Sequence, residues 1–103
     1  MKFVVKTQYL ENYGAHTGEG RFHSGQAYWK FKGGNDYIVS DVERAADAMA
    51  FVMAKYSSNN IYFKEFPTEV KSLEDWETEL GDLHAEYREF LKEQAVECSP
   101  LAA

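Results

Sequence analysis

His16, Glu19, Arg21 and His23 fall within one short, glycine-rich segment, residues 11–25 (ENYGAHTGEGRFHSG), which holds four of the chain's seven glycines. Imidazoles titrate near neutral pH, so His16 and His23 with Glu19 could move protons in the manner of a nuclease or phosphodiesterase. The same segment could instead hold an anion. Backbone N–H groups freed by glycine, beside Arg21, His16 and His23 and flanked by Tyr13, can cradle a phosphate or carboxylate. Neither chemistry has a standard motif behind it. Gly14, Gly18 and Gly20 do not give the phosphate-loop spacing, and no helix follows to aim its N-terminus at an anion. A metal site is not expected, because His16 and His23 lack the close pairing of zinc ligands, even with His84 or Cys98 as further donors. No cofactor is expected either, and an enzyme is the less favoured reading. The plain alternative is a loop whose polar residues stay wet.

Two neighbouring features extend the candidate chemistry. Tyr28, Lys30 and Lys32 alternate along an aromatic strand, so one face could stack a ring and meet an anionic, nucleotide-like ligand. The C-terminal portion is acidic: residues 64–103 carry eleven Asp/Glu against four Lys/Arg. Glu77, Glu79, Glu86 and Glu93 form a candidate partner-binding face there. The same imbalance makes nucleic acid a poor partner, since phosphate neutralisation needs clustered cations. The plainer account of this charge is a solvated helix face.

The elements that must position these residues are short. Residues 2–10 read as a strand, with Phe3, Val5 and Tyr9 on one face and Val4 and Leu10 on the other, which suits a strand covered on both sides. Residues 26–32 read as a second strand. Gly33-Gly34-Asn35-Asp36 then supplies turn chemistry before Tyr37-Ile38-Val39, so a hairpin is expected. Ser40-Asp41-Val42-Glu43 matches a capping box and predicts a helix from that point, its core stripe being Val42, Ala45, Ala46, Met49, Val52, Met53 and Tyr56. Residues 61–66 form a fourth strand stopped by Pro67. A second cap at Ser72 opens a helix whose seam runs Leu73, Trp76, Leu80, Leu83, Tyr87, Phe90 and Leu91, with Gly81 a place to bend. The expected fold is an α+β two-layer sandwich. It has a mainly antiparallel four-stranded sheet with two helices on one face, in the order β-β-β-α-β-α. Residues 1–96 make one domain and 97–103 a disordered tail; were the 73–91 seam left uncovered, a homodimer would bury it.

The chain has 103 residues, a net charge of −6 and one cysteine, all ordinary for a single reducing-compartment domain. No apolar run approaches a membrane span, and a cytoplasmic location is expected. The segments KTQYLENYG and YWKFKGGNDYIV, within residues 6–39, resemble a group of small proteins encoded by tailed bacteriophages. That resemblance implies an accessory phage protein acting in the bacterial host cytoplasm, a class that works by binding a host factor or sequestering a signal. Three functions are expected in descending order. A non-enzymatic protein that binds a host protein comes first, then a binder of a small anionic ligand through residues 11–25, then a histidine-dependent hydrolase.

Overall fold

The computed structural model describes residues 1–12 and 29–101. Strand β1 (Phe3–Asn12) is the centre of a mixed sheet, and its alternation explains why. Phe3 and Val5 point into one apolar cluster while Val4 points into another on the opposite face, and all three are buried. A strand that buries both faces needs cover on both.

Strand β5 (Phe63–Ser72) lies antiparallel along one edge of β1, and β4 (Ser58–Asn59) flanks its start. The other edge is shared by β2 (Trp29–Phe31), opposite Leu10–Asn12, and β3 (Asp36–Val39), opposite Phe3–Lys6. Beyond β3, β6 (Val96–Cys98) closes the order β4-β5-β1-β3-β6 with a parallel pairing.

Helix α1 (Ala45–Tyr56) covers the Phe3/Val5 face through Ala48 and Val52, with Ala45, Met49, Phe51 and Tyr56 at its margins. Helix α2 (Leu73–Gly81) covers the Val4 face through Trp76 and Leu80. Helix α3 (Ala85–Gln94) adds only Leu91 there, followed by Ala95. The class is α+β as expected. The four-stranded, antiparallel sheet with both helices on one face is replaced by a mixed sheet with helices on both faces.

Several local expectations are corrected. Gly33 to Asp36 makes no hairpin, because β2 and β3 run in the same direction down one edge of β1. The chain between them stays hydrogen-bonded to that edge, Thr7 N–H donating to Asn35 O at 2.9 Å and Tyr9 N–H to Gly33 O at 2.7 Å. Gly34 passes so close that a Cβ built on it would lie 1.8 Å from the Thr7 carbonyl oxygen, so this position needs glycine for space.

Ser40 does not cap α1. Its N–H and hydroxyl both donate to Cys98 O, at 3.0 and 3.3 Å, and Asp41 takes a left-handed φ of 62° that a helix cannot continue through. The helix starts at Ala45, leaving Ala46 and Met53 of the expected stripe exposed and Ala48 in their place.

Pro67 does not stop its strand. It sits at a β-bulge opposite Thr7, where β4 no longer pairs with β5, so the missing N–H is tolerated.

Within the expected tail 97–103, Glu97 and Cys98 belong to β6, which pairs with β3, and the buried Ser99 hydroxyl donates to Asp41, whereas residues 102 and 103 lie outside the described residues.

The cap at Ser72 forms as its sequence predicts, the hydroxyl accepting from Asp75 N–H at 3.1 Å. Lys71 ties α2 to the sheet by pairing with Glu79 at 2.6 Å and Glu69 at 2.9 Å. The helix expected over 73–91 is broken after Gly81. Asp82 and Leu83 close its end with N–H bonds to Glu79 O and Leu80 O, and the chain restarts at His84 on a new axis.

Candidate functional site

The break after Gly81 divides the expected apolar seam. Leu73, Trp76, Leu80 and Leu91 go into the core, whereas Leu83, Tyr87 and Phe90 remain 39%, 51% and 53% exposed. Tyr87 and Phe90, three residues apart, share one side of α3, and Leu83 lies just before the helix. The rings of Tyr87 and Phe90 stack at 6.4 Å with planes 13° apart.

Glu86, Glu89 and Glu93 lie along the flank of that aromatic pair. With Ala85 and Phe90 they line an open groove of about 380 Å³. None of the three carboxylates is in an ion pair among the described residues. Like charges three and four residues apart oppose the helix by a few tenths of a kcal/mol per pair. The surface thus joins exposed apolar area to uncompensated negative charge, which suits a basic and apolar partner.

Of the four glutamates expected to form a partner-binding face, Glu86 and Glu93 line this groove. Glu77 and Glu79 do not. Both lie on α2, where Glu79 holds Lys71 and Glu77 lines a separate cleft with Lys2, Lys92 and Glu97. Sequence reasoning missed Glu89, Tyr87 and Phe90, because a continuous helix would have buried the two rings and left Glu89 as one more solvated charge.

The expected anion-binding residues Tyr13, His16, Arg21, His23 and Tyr28 lie outside the described residues. Lys30 is placed in β2 opposite Glu11, and Lys32 follows the strand with its N–H donating to Tyr9 O at 2.8 Å; both side chains are exposed. Among the described residues there is no group of three or more His, Cys, Asp or Glu arranged to hold a metal ion, and no helix is long and apolar enough to cross a membrane.

A second polar centre lies at the end of the α1-side core. Glu65 Oε2 accepts from Thr7 Oγ1 at 2.8 Å, Asn35 Nδ2 at 2.9 Å and Tyr37 Oη at 3.0 Å. Thr7 and Tyr37 are buried, so the carboxylate supplies the acceptor their hydroxyls need. Burial first, then the hydrogen bond to Glu65, raises the Tyr37 phenol far above its ordinary pKa. The Tyr37 ring stacks on Tyr56 at 4.5 Å. Glu65 also lines a cleft of about 340 Å³ between the end of α1 and β4, with Met53, Ser57, Ser58, Asn59, Lys64 and Phe66. Burial pushes the Cys98 thiol pKa up. No protein-family model, curated protein or solved structure matches the chain, so its own geometry carries the functional reading.

Proposed function

We propose that this chain is a non-enzymatic binding protein whose α3 face docks a basic, apolar segment of a partner protein. The observation that carries the reading is the exposed Tyr87–Phe90 pair beside three carboxylates that form no ion pair among the described residues. Large aromatic side chains in the middle of an interface supply most of its affinity, and the charged surround sets orientation and association rate. The charge of residues 64–103 favours cationic partners and repels nucleic acid. In keeping with the resemblance of residues 6–39, the partner is a host protein met in the bacterial cytoplasm, and the chain is an accessory phage product.

The test uses a labelled helical peptide with Leu and Phe on one face and Lys and Arg on the other, titrated with the full chain. Phe90→Ala is expected to weaken binding about tenfold or more, as truncation of a central interface aromatic does. Salt should weaken it too, since screening shortens from about 10 Å at 0.1 M to about 3 Å at 1 M. Equal binding of a peptide with Glu in place of Lys and Arg would contradict the proposal. So would a dimer in sedimentation that buries Tyr87 and that the peptide cannot displace, which would make a second copy the occupant.

A further inference from the structure

We propose that the cleft between the end of α1, β4 and β5 is a second site, independent of α3, that binds a small organic amine with an apolar body. Three features carry this. First, Glu65 is held in place from behind: all three of its donors, Thr7, Asn35 and Tyr37, converge on Oε2, and Oε1 accepts from no described residue. An acceptor fixed in this way loses little freedom on meeting a ligand, which is how preorganised sites gain affinity.

Second, the cleft presents a carboxylate with no ammonium paired to it among the described residues. Lys64 lines it with its stem, but its Nζ reaches the other way and lies 4.5 Å from the centre of the Trp29 ring. Lys55, on the neighbouring turn of α1, sits over the rings of Phe51 and Tyr56 at 5.6 and 5.9 Å. A cationic ligand therefore meets a carboxylate that no described residue pairs, and an anion is disfavoured there.

Third, the walls are mixed. Met53 offers apolar surface, and Ser58 and Asn59 offer a hydroxyl and an amide. At about 340 Å³ the space is at the small end of ligand pockets, which run from about 300 to 1,000 Å³. An ammonium on Oε1 with a compact apolar body against Met53 satisfies all three features. The charge-assisted bond sets the preference for amines over alcohols of the same shape.

The experiment is an amide chemical-shift titration of the full chain with phenethylamine, using 2-phenylethanol and phenylacetate as shape-matched neutral and anionic controls. The expected result is saturable shifts confined to residues around Ser57 to Asn59 and Lys64 to Phe66, with the alcohol at least tenfold weaker and phenylacetate silent. Glu65→Gln keeps an acceptor for Thr7, Asn35 and Tyr37 while removing the charge, and should lose at least tenfold. Met53→Lys changes an exposed residue on α1 and places an ammonium at the cleft, so it should abolish amine binding in a folded protein. Equal affinity for the alcohol, unchanged binding to either variant, shifts centred elsewhere, or no saturation would each overturn the proposal.

Discussion

Leu80 and Phe90 hold equivalent places in a regular apolar seam, yet the broken helix gives them opposite roles, and truncating each to alanine separates those roles. Leu80 is 3% exposed and packs with Val4 and Trp76. Removing a buried leucine side chain costs its transfer free energy and leaves a cavity that relaxes only in part, together about 2–5 kcal/mol. With about 3 kcal/mol as a central value and about 4–8 °C per kcal/mol for a domain of this size, Leu80→Ala should lower Tm by roughly 12–24 °C. Phe90 is 53% exposed, and its loss uncovers no core. Alanine is also the better helix former, so Phe90→Ala should fall within about 0.5 kcal/mol of the parent. Urea titration followed by circular dichroism reads both, with equal slopes expected for the two variants. Comparable losses in both variants, at any protein concentration, would refute the division of the seam. A loss in Phe90→Ala that grows with protein concentration would mean that a second copy covers the face.

Two further outcomes follow from the same packing. Gly34→Ala forces a methyl group against the Thr7 carbonyl, and should cost at least the 1–3 kcal/mol typical of overpacking, read as a drop in the urea midpoint; an unchanged midpoint would remove the close approach. The pKa of Tyr37 is raised in the folded state, so the phenol's contribution is complete below the unfolded value near 10 and is lost as pH climbs from there towards the folded value. Stability should therefore decline above about pH 10, and Tyr37→Phe should flatten that decline. An equally steep decline in the variant would show that the phenol is not shielded.

Strands β1, β2 and β3, the start of β5 and the Ser72 cap were legible because each depends on neighbours in sequence. Ser72 meets Asp75 three residues away, and Phe3, Val4 and Val5 announce a strand buried on both faces. That alternation already called for cover on both sides, which conflicts with placing both helices on one face. The misplaced features depend on distant partners. Ser40 has a good capping sequence, but β6 arrives from the far end of the chain and takes its hydroxyl and N–H. The glycines at 33 and 34 have turn composition, yet Gly34 is there for contact with Thr7. Glu65 showed no sign in the sequence, because Thr7, Asn35 and Tyr37 come from other strands and connections. The α3 groove was half visible: Glu86 and Glu93 could be chosen from charge alone, but the exposure of Tyr87 and Phe90 depends on where the helix breaks.

Binding on α3 can be mapped by amide chemical shifts as the basic amphipathic peptide is titrated into the full chain. The largest changes should fall at Leu83, Glu86, Tyr87, Glu89, Phe90 and Glu93 and vanish in a Tyr87→Ala/Phe90→Ala variant that is still folded. Changes centred on β2 or on residues 11–25, surviving in that variant, would contradict binding on α3.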